Sequence, residues 1–66
     1  MPERNISEEI RQWVMGSSGW FNVRDLDREL NIEHSRTKAL RRMVLKGMCD
    51  LTILERSAKV EGVFRL

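Results

Sequence analysis

Apolar side chains recur at helical spacing over the first stretch of the chain, where Ile10, Trp13 and Val14 share one face behind Ile6. Ser7 stands where a capping side chain accepts the first free amides of a helix. Ile10 occupies the position where Glu or Gln would complete a capping box, so only half of that signature is present. Gly16 and the Ser17-Ser18-Gly19 run end this helix in a loop. The aromatic and β-branched run Trp20-Phe21-Asn22-Val23 predicts a brief strand. Leu26 and Leu30, four apart, predict a second helix from about Arg24 to Leu30. Asn31, which tolerates the left-handed conformation, interrupts it, and Ile32 offers an apolar anchor inside the turn.

A third helix begins near Glu33 and carries the segment SRTKALRRMVLKG, Ser35 to Gly47. Ala39, Leu40, Met43 and Val44 supply its apolar face, and Arg36, Lys38, Arg41, Arg42 and Lys46 its basic one. Gly47 is expected to close it, and Leu45 projects from the charged side. Two helices joined by so short a turn form a helix-turn-helix unit. After Gly47, Cys49, Leu51 and Ile53 alternate with polar residues as in a half-buried strand. Glu55 to Lys59 then forms a polar loop, and Val60 to Leu66 a second strand with Phe64 and Leu66 on one face. Leu54 and Val63 fall out of phase with the inward positions. The pair of strands reads as a β-hairpin.

Sixty-six residues allow one small domain that buries roughly 60% of its unfolded surface, so most large apolar residues must pack. Residues 1–33 hold four Lys/Arg against seven Asp/Glu, and residues 34–66 eight against three. The halves carry −3 and +5, which points the second half at an anionic partner. Cys49 stands alone and makes no intramolecular disulfide, which fits a reducing cytoplasm, or the nucleus in a eukaryote. Its apolar neighbours suggest a buried thiol. No apolar run reaches membrane-spanning length and the N-terminus lacks a signal peptide's apolar core, so no membrane partner is expected. One histidine, no glycine-rich phosphate loop and no paired carboxylates in apolar surroundings argue against enzymatic activity, a metal, a cofactor or a small-molecule substrate.

The order of helix, strand, helix, turn, helix, strand, loop, strand resembles the winged helix-turn-helix superfamily, from about Ile6 to Leu66. VRDLDRELNI (Val23–Ile32) matches the first half of the motif, TKALRRMVLKGM (Thr37–Met48) the basic helix, and the terminal VFRL the last wing strand. The resemblance implies an α+β fold of three helices, a C-terminal β-hairpin wing and a short strand between the first two helices. Residues 1–5 are expected to fray as chain ends do, and residues 6–66 to form one domain, expected to be part of a larger protein. Family members often carry an apolar residue where Arg36 stands, so Arg36 either lies across the turn or marks a helix that starts late.

Winged helices mostly bind duplex DNA, in settings such as transcription regulation and DNA replication, and some bind RNA or proteins; the resemblance implies the third helix in the major groove and the wing on the adjacent backbone. Ser35, Arg36, Thr37 and Lys38, near the start of the third helix, are the candidates for base edges or nearby phosphates. Arg41, Arg42 and Lys46 are the candidates for the phosphate backbone, with Arg56, Ser57 and Lys59 reaching an adjacent backbone from the wing. The complementary acids are missing along the third helix, Glu33 being the only nearby one, so i,i+4 ion pairs are not expected to account for its charges. A single small module favours a homodimer or linked domains for tight binding. The alternative is a protein-interaction or oligomerisation module, marked by an exposed patch of Trp20, Phe21, Leu45 or Leu54.

Overall fold

A computed structural model describes residues 4–66 as a small α+β fold of three helices and a three-stranded antiparallel sheet. Helix α1 spans Ile6–Met15, strand β1 Phe21–Asn22, helix α2 Val23–Glu29 and helix α3 Ser35–Asp50; strands β2 and β3 span Glu55–Arg56 and Val63–Arg65. The expected fraying of residues 1–5 falls in part on 1–3, outside the described residues. Arg4 and Asn5 are engaged. Arg4 donates to Glu9 and to the Leu30 carbonyl, and the Glu9 hydrogen bond raises the Arg4 guanidinium above its usual pKa.

Asn5, not Ser7, caps α1. Its extended backbone lets the side chain accept from the Glu8 amide at 3.0 Å, whereas Ser7 already lies inside the helix. Glu8 and Glu9 in the first turn complement the helix dipole. Asn22 repeats the device for α2, accepting from the Arg24 amide at 2.9 Å, so that helix starts at Val23 and β1 is shortened to two residues. Asn31 takes the left-handed conformation at φ 56°, and the Ile32 amide donates to the Asp27 carbonyl while its side chain is buried. The turn between α2 and α3 therefore holds its shape through backbone bonds and one apolar anchor.

Helix α3 departs most from expectation. It begins at Ser35 rather than near Glu33 and runs through Gly47 to Asp50 without a break. Gly47 permits a left-handed stop but does not require one, and continued helix buries Met48. The stop falls later, where Thr52 adopts φ 59° and the Ile53 and Leu54 amides return to the Met48 carbonyl. A mid-helix glycine costs roughly 1 kcal/mol relative to alanine. A β-carbon at Gly47 would meet nothing within 4 Å, so packing inside the fold does not explain the glycine.

The core-facing stripe of α3 is also rotated. Val44, Leu45 and Met48 are buried, whereas Ala39 is exposed and Met43 is 70% exposed. Leu45, expected among the charges, is 2% exposed. The stripe that wins runs through Thr37, Arg41, Val44, Leu45 and Met48, which share one side at 100° per residue. It delivers three large apolar residues to the core. Its one arginine is accommodated by an acidic partner.

Because α3 reaches Asp50, Cys49 is helical and half-buried, and the alternating strand expected over Cys49 to Ile53 does not form. Leu51 and Ile53 are exposed, and Leu54, expected out of phase, is buried. Glu55 and Arg56, expected in a loop, form β2; Val60 belongs to the loop, and Leu66 is exposed beyond β3.

The sheet order is β1-β3-β2, with Phe21 opposite Phe64 and Phe64 opposite Arg56. Those three side chains thus share the helix-facing side of the sheet. Phe21 stacks at 6.0 Å on Phe64 and takes the edge of Trp13 at 5.2 Å. Behind them lie Ile10 and Val14 of α1, Leu26 of α2, and Ile32, Val44, Leu45, Met48 and Leu54. Trp20 flanks the sheet, 48% exposed, with the Arg65 guanidinium 4.5 Å above its ring and Glu55 accepting from that guanidinium.

Candidate nucleic-acid interface

The basic residues of α3 divide among three sides of the helix. Lys38, Arg42 and Lys46, spaced by four, form one nearly straight strip, each about 40° from the next around the axis. All three are exposed. Arg36 lies about 120° from Arg42, on the opposite exposed flank. Arg41 faces inward.

Arg41 was expected on the exposed arc, and its position is a correction. Its side chain is only 12% exposed and pairs with Asp27 of α2, 15% exposed. The guanidinium donates twice, Nε to Oδ1 at 2.9 Å and Nη2 to Oδ2 at 2.8 Å. This two-pronged bond fixes α3 against α2 and neutralises a cation that the rotated apolar stripe carries inside. Asp27 is the residue that sequence reasoning missed. Its signal was the period of Thr37, Arg41, Val44 and Met48, which demands a partner for an arginine on a buried stripe.

Arg42 and Lys46 line one side of a groove of about 640 Å³ between α3 and the β2–β3 hairpin. Arg56 lines it from the hairpin, its guanidinium 5.8 Å from the Phe64 ring centroid. The β register sets this: Arg56 shares the helix-facing side with Phe64, so it turns towards α3 rather than outwards. Val23, Leu45 and Phe64 form the apolar floor, Glu61 is the acidic member of the lining, and Arg41 also borders the groove while its guanidinium is held by Asp27. Arg42 and Arg56 have no ion-pair partner among the described residues, and Lys46 is held only by an exposed contact to Asp50 at 3.6 Å. That contact is an i,i+4 pair and corrects the expectation that acids for such pairs are missing: α3 extends past Gly47 and brings Asp50 one turn from Lys46. Lys38 borders a neighbouring depression of mixed charge, with Arg24 and Arg28 but also Asp27 and Glu33 in its lining.

No protein-family model, no curated protein and no solved structure matches this chain.

The remaining expected site residues do local work. The Thr37 hydroxyl, half-buried, donates to the His34 carbonyl at 2.9 Å and so secures the first turn of α3, which has no side-chain cap. Ser35 is exposed as the first helical residue. Ser57 Oγ accepts from the Lys59 and Val60 amides at 3.2 and 3.1 Å and shapes the hairpin loop. Lys59 and Val60 are exposed on that loop. Among the described residues no group of three His, Cys, Asp or Glu side chains is placed to hold a metal. No helix there is long and apolar enough to cross a membrane.

In chemical terms the groove is a two-walled channel with cations on both walls and a hydrocarbon floor. Charge-assisted hydrogen bonds from arginine suit phosphate oxygens, and the floor suits the apolar face of a sugar.

Proposed function

We propose that this chain is a winged helix-turn-helix module that binds duplex DNA. The observation that carries the reading is the convergence of Arg42, Lys46 and Arg56, from two separate elements, on one groove. The element order and the β1-β3-β2 sheet, with the hairpin beside α3, support the winged-helix assignment. In this reading Lys38, Arg42 and Lys46 follow one phosphate strand along α3 while Arg56 and Lys59 hold the backbone from the hairpin. Arg41 keeps α3 at its angle instead of touching DNA. Four or five such contacts give a slope of about −4 in log K against log salt on B-form DNA.

Of the alternative docking patch, Phe21, Leu45 and Leu54 are buried, whereas Trp20 is 48% exposed beneath Arg65. RNA and single strands are tested beside duplex DNA: binding of labelled duplex, single-stranded DNA and duplex RNA is compared by fluorescence anisotropy at equal salt. Preference for duplex DNA that Arg56→Ala weakens supports the reading. Preference for single strands, or indifference to Arg56, refutes it.

A further inference from the structure

The flank of α3 that faces away from the groove carries Arg36, Ala39, Met43, Gly47 and Asp50. At 100° per residue these five lie within an arc of about 80°. Their spacings of three, four, four and three are symmetric about Met43, as are their chemistries. A cation stands at one end and an anion at the other, small residues lie inside them, and a large apolar residue is central. Arg36, Ala39 and Asp50 are exposed, and nothing in the fold covers Met43.

We propose that this flank pairs with the same flank of a second copy, the two α3 helices lying antiparallel across a two-fold axis at Met43. In that arrangement Met43 meets Met43 of the second copy. Ala39 lies against Gly47 of the second copy, letting the backbones approach closely, and Arg36 reaches Asp50 of the second copy; the last two contacts each occur twice. An isologous interface requires such self-complementarity.

Two further properties of these same residues fit this partner. Its first turn holds cations and no acid, and its last turn holds an acid and no base, the reverse of what the helix dipole favours. An antiparallel copy brings Asp50 to the first turn and Arg36 to the last. Gly47, which no contact inside the fold requires, becomes the point of close approach. Arg42 and Arg56 lie off the seam; Lys46 of the groove borders it through its exposed contact to Asp50, which Arg36 of the second copy would share. The pairing stands whether or not the grooves bind DNA.

Five side chains along one helix flank make a small contact, so self-association is expected to be weak and to show only at high protein concentration. Sedimentation velocity over a concentration series, without nucleic acid, measures it for the wild type, Arg36→Asp, Asp50→Arg and an equimolar mixture of the two variants. Each variant alone sets like charges across the seam and is expected to associate at least tenfold more weakly than wild type. The mixture restores opposite charges and is expected to form the heterodimer. That rescue also demonstrates that both variants are folded. Second, Met43→Cys in a Cys49→Ser background is expected to oxidise to a disulfide-linked dimer, and Lys59→Cys in the same background is not. A wild type that stays monomeric to about 1 mM, or a mixture that associates no better than its components, overturns the proposal.

Discussion

Arg41 and Arg42 are adjacent in sequence, identical in chemistry and both border the groove between α3 and the hairpin, yet their charged groups have different surroundings. Arg41 sits where α3 meets α2, nearly buried, with both prongs of its guanidinium on Asp27. Arg42 sits one residue on, at the groove between α3 and the hairpin, exposed and without an ion-pair partner among the described residues. In the first region removing one charge strands its partner in a poorly solvated place, so the effect falls on stability. In the second region water solvates the charge already, so the effect falls on whatever anion binds. A count of basic residues weighs the two equally. Their surroundings separate stability from recognition.

Substitutions at five positions sharpen or break that contrast. The largest effect is expected at Leu45, whose side chain is both core and groove floor. Leu45→Ala should cost about 2–5 kcal/mol, comparable to the whole stability of so small a domain, and thermal unfolding followed by circular dichroism should show a folded fraction near zero at 37 °C. An unchanged melting temperature would return Leu45 to the surface.

Next comes the α2–α3 pair. Arg41→Met and Asp27→Ala should each lower stability by about 1–3 kcal/mol in urea unfolding. A double-mutant cycle should return a coupling of at least about 0.5 kcal/mol, and strictly additive losses would mean that the two side chains do not act as a pair. A smaller effect, about 1 kcal/mol, is expected from Asn22→Ala, which leaves the Arg24 amide without its cap; Asn22→Asp should retain most of the stability.

Gly47→Ala is the smallest and carries the opposite sign. It should stabilise the isolated chain by up to about 1 kcal/mol, since the added methyl meets open space. If two α3 helices approach at this residue, the same change should weaken self-association while raising the melting temperature. A lowered melting temperature would show that the glycine is needed within the fold.

The elements that hydrophobic spacing and turn chemistry specify were legible. Ile10 and Val14 fix the buried face of α1, Leu26 that of α2, and Asn31 and Ile32 the turn before α3. The course of α3 was harder to read because two stripes compete on it. Leu40 and Met43 with Gly47 describe a short helix that ends early; Val44, Leu45 and Met48 describe a longer one. The choice depends on Asp27, fourteen residues from Arg41 and invisible to any local period. Once α3 continues past Gly47, the alternation after it loses its meaning, which is why Leu51 turns out and Leu54 turns in. Of the site, the strip Lys38, Arg42 and Lys46 follows from helical spacing alone. The inward turn of Arg56 follows only from its register with Phe64.

The most direct test compares Arg42→Ala/Lys46→Ala/Arg56→Ala with Arg41→Met, titrating each with labelled duplex DNA over a salt series and measuring stability in parallel. The account predicts that the triple variant stays folded while its log K against log salt becomes shallower by about 2.7. Arg41→Met should lose stability and, at temperatures where it is folded, keep the wild-type slope. Loss of the salt dependence in Arg41→Met with none in the triple variant, or no duplex binding by wild type at low salt, would contradict it.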